Sequence, residues 1–330
     1  EVARLHGYEH IPTTLPAIAS TIMPVDVVQE LESRIRDHLI SLGFLQTLNY
    51  SFVPGNVPDI FHEGLPLRLK NPLSEDQAVM RTSLVWGIFD AMIRNVNQDE
   101  YDLKLFEIGR VFHRDGGEGT DERTRLCIGM CGRINPRDWR RSGETFDAFY
   151  LKGLVEGIGR VVGRTMDFKL SSRPYYHPAD QMEFRCQGQQ LGHGGRIHPS
   201  FLETPKIPRQ MYLLEMDLTV LAGFPNREMQ VKPVPEFPPL RRDLAFVLPM
   251  EIAAGQVKEA IQKEGGDLLE VVRLFDLYLG KGIEPGKRSL AFGLTFRARD
   301  RTLTDQDVQH RIDSMVRCIE VEYHGKLREG

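Results

Sequence analysis

The residues best suited to chemistry lie near the C-terminal end, in the run LFDLYLGKG. If that run is extended, side chains alternate between two faces, so Asp276 and Tyr278 share one face while Phe275, Leu277 and Leu279 share the other. The apolar set would pack on helices and leave a phenol and a carboxylate facing outward. An outward tyrosine ring offers a stacking surface to an unpaired base, and a neighbouring carboxylate accepts a hydrogen bond from the base edge. Around them lie Arg241, Arg242, Lys281, Lys287, Arg288, Arg297, Arg299 and Arg301, at strand ends or in loops, where each can neutralise a phosphate. Single-stranded RNA is therefore one ligand for this constellation. A merely solvated face is the other, because basic and acidic residues nearly cancel in this part of the chain.

Elsewhere the reactive residue types do not combine. Cys127 and Cys131 sit four apart in the strand-like run RTRLCIGMCGR, on the same face, and no second Cys/His pair follows at zinc spacing. They read as a buried, reduced pair. The glycine-rich run GLVEGIGRVVG lacks the Lys-Ser/Thr ending of a phosphate loop, and Leu154, Val155, Ile158, Val161 and Val162 are spaced as a helix face. His177, His193 and His198 fall in one hairpin-like region, and two of them precede proline, which favours turn chemistry over a metal site. No nucleophile elbow, HExxH helix or dinucleotide fingerprint occurs, so no catalytic residue is nominated.

The elements that must position the outward pair are readable from periodicity. RDLAFVL alternates as a strand, AAGQVKEAIQKEGG is a helix with Val257, Ala260 and Ile261 on one side, and LLEVVRLFDLYLG is a second strand. In KRSLAFGLTFRA, Leu290, Phe292, Leu294 and Phe296 alternate with Ser289, Ala291, Gly293 and Thr295. Thr304 and Asp307 form a helix-opening capping box, Val308, Ile312, Met315, Val316 and Ile319 make the stripe of a helix reaching Tyr323, and GKLR closes as a short strand. That order is the ferredoxin-like βαββαβ arrangement, with helices on one sheet face and the other face free. The proline-rich run QVKPVPEFPPL precedes it and marks a domain boundary. Upstream, helices are expected over 25–42, 83–97 and 147–163. Strands are expected over 45–53, 103–112, 125–132, 166–172, 182–188, 189–198 and 212–220. The pattern is an α+β layout built on a mostly antiparallel sheet.

At 330 residues, 41% hydrophobic and 27% charged, the chain is of ordinary globular composition and long enough for two folded units. A formal charge of −4 excludes indiscriminate attraction of nucleic acid, so an RNA contact must come from a local patch. No run is long and apolar enough to span a membrane and no secretory signal is visible, which predicts a soluble, cytoplasmic protein. The first residue is Glu, so the chain reads as a fragment or processed form of something longer.

These residues carry a family resemblance. The runs EVARLHGYEHIPTTLP, LNYSFV, LKNPLSEDQAVMRTSL, LKLFEIGRVF, FPPLRRDLAFVL and LFDLYLGKGIEPGKRSLAFGLTFRARDRTLTDQDV resemble, in order and along essentially the whole length, the C-terminal part of the bacterial phenylalanyl-tRNA synthetase beta subunit. The resemblance implies the end of an acidic helical domain over 1–16, and a class II synthetase-like antiparallel sheet module without active-site motifs over 17–230. A proline-rich linker over 231–239 and a ferredoxin-fold anticodon-binding domain over 240–330 would follow. It implies tRNA(Phe) as ligand and a heterotetramer of two alpha and two beta chains, with ATP used on the alpha subunit. The helices over 25–42 and 83–97 become candidates for packing on that partner, although core burial explains the same stripes equally well. Magnesium shared with the alpha subunit is implied too, with Glu1 at the last position of the family's acidic ligand helix; one carboxylate cannot hold it alone. HPADQM departs from the glycine-arginine-serine pattern expected after the first His-Pro.

Overall fold

The computed structural model describes residues 1–14, 26–115, 119–135, 138–140, 143–202, 210–225 and 234–328. The chain divides into two units, Glu1–Met229 and Gln230–Gly330. Part of the proline-rich run therefore lies outside the described residues.

The first unit contains helices α1 (Val2–His6), α2 (Val27–Ser41), α3 (Val85–Asn97), α4 (Ala148–Val161) and α5 (Leu218–Ala222). Its strands are β1 (Leu45–Gln46), β2 (Phe52–Val53), β3 (Val79–Met80), β4 (Leu103–Arg114), β5 (Thr120–Cys131), β6 (Asp167–Leu170), β7 (Tyr176–Cys186), β8 (Gln189–Ile197) and β9 (Met211–Asp217). Seven of them form a sheet in the order β1-β4-β5-β9-β8-β7-β6, antiparallel except for the parallel edge pair β1/β4.

Both sheet faces are covered, which is why the central strands are apolar at successive positions. Leu126, Ile128 and Met130 of β5 point into one core, with Ile35, Leu39, Leu151, Val155 and Ile158 of α2 and α4. Cys127 and Cys131 point into the other, with Val85, Ile88, Met92 and Val96 of α3. The two thiols are thus buried on one face as expected; burial raises Cys127 well above the usual thiol range and pushes Cys131 up to about 12. Helix α3 lies close on β5: a Cβ at Gly129 would stand 2.5 Å from both Ile88 Cγ2 and Met92 Sδ. The glycine-rich run from Gly153 forms the rest of α4 and its C-terminal turn at Gly163, and the helix is capped by the Asp147 carboxylate accepting from the Tyr150 N–H at 2.7 Å.

Two expected strands start earlier than periodicity suggested, β5 at Thr120 and β7 at Tyr176, and two others break up. The run 45–53 is not one strand but β1 and β2, because Asn49 between them turns to a side chain instead of a ladder. Its amide donates to Glu107 at 2.7 Å and its carbonyl accepts from Arg81 at 3.3 Å. The strand over 212–220 stops at Asp217, whose carboxylate accepts from the Val220 N–H at 2.9 Å and opens α5.

The second unit comprises β10 (Leu240–Pro249), α6 (Ala254–Gly265), β11 (Leu269–Tyr278), β12 (Lys287–Phe296), α7 (Asp305–Tyr323) and β13 (Lys326–Leu327), with sheet order β11-β12-β10-β13. Leu244, Phe246 and Leu248 of β10 and Leu290, Phe292, Leu294 and Phe296 of β12 form its core with Val257 and Ile261 of α6 and Val308, Ile312, Met315 and Ile319 of α7. The Thr304 N–H and hydroxyl both reach the Asp307 carboxylate at 2.7 Å, completing the capping box that starts α7. The antiparallel sheet with helices on one side is the ferredoxin-like arrangement read from the sequence.

A correction concerns β11. Its register against β12 shifts between Leu274 and Asp276, leaving Phe275 as the extra residue of a β-bulge. Strict alternation placed Phe275, Leu277 and Leu279 together against the helices; Leu277 does lie opposite the core residue Leu290, though half exposed, and Leu279 falls past the strand end, but the Phe275 ring comes round to the free face. The bulge is the physical reason: the extra residue lets Leu274, paired with the core residue Phe292, and Asp276, paired with Ala291, fall on opposite faces, so Phe275 departs from alternation while Asp276 and Tyr278 keep the outward face.

Candidate nucleic-acid interface

Cross-strand pairing defines the free face of the second unit. Asp276 pairs with Ala291 and Tyr278 with Ser289, while Ala291 pairs in turn with Ala245, Ser289 with Val247, and Gly293 with Asp243. Partners point the same way, and the intervening residues of β10 and β12 fill the core. The result is a floor of small side chains, Ala245, Ser289, Ala291 and Gly293, bordered by Tyr278, Asp276, Asp243 and Arg241. The Tyr278 hydroxyl donates to the Lys281 carbonyl at 3.3 Å. Gly280 makes room for it, because a Cβ there would stand 2.6 Å from that hydroxyl. The Arg328 N–H donates to the Ala245 carbonyl at 2.8 Å, and its guanidinium stands 5.3 Å from the centre of the Tyr278 ring, within cation–π range.

The basic residues nominated from the sequence separate into two groups. Arg241 pairs with Thr295 on the free face, and Lys281 and Arg299 are exposed in loops, with no ion pair for either among the described residues. Lys287 is tied to Glu284 at 2.6 Å. Arg242 pairs with Leu294, hence on the helix side, where it meets Asp305 at the start of α7. Arg288, paired with Leu248, donates to the Ile252 carbonyl at 2.6 Å. Arg297 binds Glu270 at 2.9 Å and the Phe237 carbonyl at 2.8 Å, and Arg301 lies near Asp300 and Asp307 at 3.3 and 3.5 Å. The last four therefore hold the unit together. Arg328, Arg273 and Phe275 were not nominated; Arg328 was visible in the closing strand GKLR, but its reach to Tyr278 depends on β13 pairing with β10.

The first unit holds a buried polar cluster that no sequence motif announced. Arg125 donates to Glu63 at 2.5 Å and to Glu215 at 2.8 Å; Arg173 reaches Glu63 at 2.6 Å. Glu215 also accepts from the Ser83 hydroxyl at 3.0 Å and the Leu84 N–H at 2.6 Å. Burial alone would raise the Glu63 carboxyl, but the hydrogen bond from His193 and the charges of Arg125, His193 and Arg173 hold it well below the usual range. The two carboxylates likewise raise Arg125 against its own desolvation. The cluster borders a polar cavity of about 280 Å³. Glu63, His193 and Glu215 offer ligand atoms within 4.8 Å of one another, yet the Arg125 guanidinium already bonds both carboxylates, so a cation would have to displace it. The three histidines do not converge: His193 is buried beside Glu63 and Tyr176, whereas His177 and His198 stack on each other at 6.2 Å.

Of the two helices considered for partner packing, α3 is committed to its own core through Val85, Ile88, Phe89, Ala91, Met92 and Val96. Exposed apolar residues lie instead at Leu45, Leu48, Tyr50 and Phe52, around the sheet edge. Glu1 is exposed and pairs with Arg4 at 3.0 Å.

Comparison with known proteins agrees with this layout. Residues 11–218 match the profile described as phenylalanyl tRNA synthetase beta chain CLM domain, and residues 235–328 match the ferredoxin-fold anticodon binding domain. The chain is 36% identical over 340 aligned residues to the phenylalanine–tRNA ligase beta subunit of Syntrophotalea carbinolica, covering 99% of this chain and 42% of that protein. It is 31% identical to the corresponding subunit of Clostridium acetobutylicum, covering 99% and 41%. It thus spans about two fifths of the length of these relatives. A crystal structure of pyrrolysyl-tRNA synthetase from Desulfitobacterium hafniense aligns with 67% of this chain and 72% of that one at 17% identity and a TM-score of 0.45, too loose a likeness to carry weight. With one profile spanning most of the first unit and the other nearly all of the second, the chain belongs to the phenylalanyl-tRNA synthetase beta-chain family.

Proposed function

We propose that this chain acts as part of the beta subunit of a cytoplasmic phenylalanine–tRNA ligase, gripping tRNA(Phe) and bracing an alpha subunit that performs the ATP-dependent chemistry. The observation that carries the tRNA half is the outward pair Tyr278 and Asp276 over a floor of small residues, inside the unit that matches an anticodon-binding fold. The ring supplies a stacking surface, the carboxylate accepts from a base edge, and Arg241, Lys281 and Arg299 surround them with charge available for phosphates. Residues 240–330 would be the anticodon-binding domain, 231–239 its linker, 17–230 the bracing module and 1–16 the end of a preceding helical domain.

The bracing role suits a unit whose buried charges are engaged by one another. The exposed apolar residues Leu45, Leu48, Tyr50 and Phe52 are its contact surface for the alpha chain in a tetramer of two alpha and two beta chains. A single carboxylate paired with Arg4 does not make the six-oxygen shell of magnesium. Glu1 would be one ligand of an ion completed from elsewhere in the enzyme, and no chemistry of this chain runs through it.

Co-expression with the alpha subunit, followed by aminoacylation of tRNA(Phe) with and without this chain, tests the proposal. Charging that needs both chains is expected. Phenylalanine-dependent pyrophosphate exchange by this chain alone would overturn it, and RNA binding without capture of an alpha chain would leave a non-enzymatic RNA-binding scaffold.

A further inference from the structure

The bulge at Phe275 has created a second ring on the free face of the sheet. Phe275 is 53% exposed, and a Cβ at Gly293 would stand 3.6 Å from its Cδ1 and 3.4 Å from the Asp243 carboxylate. Gly293 points to the free face, since it pairs with Asp243 and its β12 neighbours Phe292 and Leu294 are in the core. The ring and carboxylate therefore meet above the glycine, and Asp243 has no ion pair among the described residues. This repeats the chemistry of Tyr278 with Asp276: an aromatic surface beside an acceptor, on a floor with little or no side chain.

We propose that Phe275 is a second base-stacking platform and Asp243 its hydrogen-bond acceptor, so that the face takes two bases of one unpaired RNA strand. The proposal rests on the RNA reading of this face given above. Ser289, beneath Tyr278, and Gly293, beneath Phe275, are four residues apart on β12, which is about 13 Å at ~3.3 Å per residue. Bases stacked on each other are only ~3.4 Å apart. The two platforms thus hold bases splayed from each other, the form in which unpaired RNA is read by its edges. A carboxylate accepts only from a donor; on its Watson–Crick edge guanine presents two side by side, the N1–H and the 2-amino group, whereas uracil presents only its N3–H, so the carboxylate favours guanine.

Binding of the full chain to short unpaired RNA oligonucleotides, guanine-containing or all-uracil, tests this by fluorescence anisotropy across a salt series. Phe275→Ala is expected to weaken binding roughly five- to hundredfold without changing the salt dependence, and Phe275→Leu to weaken it similarly, because leucine keeps volume but has no ring. Phe275→Tyr is expected to bind like the parent. Asp243→Asn is expected to reduce the preference for guanine over uracil, and an unchanged preference would overturn the acceptor role. Matching thermal melts of the variants and parent establish that folding is intact. If Phe275→Leu binds as tightly as the parent while Tyr278→Ala does not, Phe275 is only an apolar cover and the proposal fails alone. If Phe275→Ala and Tyr278→Ala both bind like the parent, the RNA reading of the face falls and this proposal with it.

Discussion

At Tyr278 the ring is offered outward while the hydroxyl is held by the Lys281 carbonyl and the guanidinium of Arg328 lies within reach. Tyr278→Ala should weaken tRNA binding by about 1 to 3 kcal/mol in a filter-binding assay. Arg299 offers charge without a stacking surface, so Arg299→Ala should instead reduce the slope of log affinity against log salt by about 1. Glu63 makes a different prediction, about acid stability. Its folded carboxyl titrates well below the ordinary 4.5, so the folded state favours the ionised form. That stability is fully present above about pH 4.5 and drains away as pH falls through the lowered folded value. Calorimetric melts should therefore show an acid-sensitive midpoint that Glu63→Gln makes less steep. Arg125→Ala should cost about 3 to 5 kcal/mol in chemical denaturation, because it leaves Glu63 and Glu215 buried without their shared cation.

Among the elements, α7 was readable to the residue from Thr304, Asp307 and the stripe behind them. The capping box supplies local bonds that need no distant partner, and Thr304→Ala should lower the stability of the second unit by about 1 kcal/mol in thermal denaturation. Helix α3 was readable to within two residues, beginning at Val85 and not Ser83, but its closeness to β5 was not. Gly129→Ala should destabilise by about 1 to 3 kcal/mol through the clash with Ile88 and Met92, measurable in urea. Strand β11 shows where periodicity fails. A bulge leaves no mark on a run such as VVRLFDLYL, which alternates plausibly in either parity, and only the pairing with β12 reveals that Phe275 is the extra residue.

For the molecule as a whole, the second unit has its own helices, sheet and closed core. Residues 234–328 expressed alone should melt cooperatively and retain the RNA affinity of the full chain, as circular dichroism and anisotropy would measure. A net charge of −4 does not oppose that binding, because the contact is set by a few residues on one face and is screened within about a Debye length.

By itself, the sequence determined the order of elements in the second unit, the main helices of the first, the buried thiol pair and the outward placement of Asp276 and Tyr278, all of which follow from periodicity and bonds between near neighbours. Only the tertiary structure decided that Arg242, Arg288, Arg297 and Arg301 are occupied within the unit, that Arg328 reaches Tyr278, that Phe275 faces out, and that Glu63, Arg125, His193 and Glu215 meet. Those depend on strand register and on contacts between residues more than a hundred positions apart, such as the 130 between Glu63 and His193, where a charged side chain in isolation carries no sign of which partner will neutralise it.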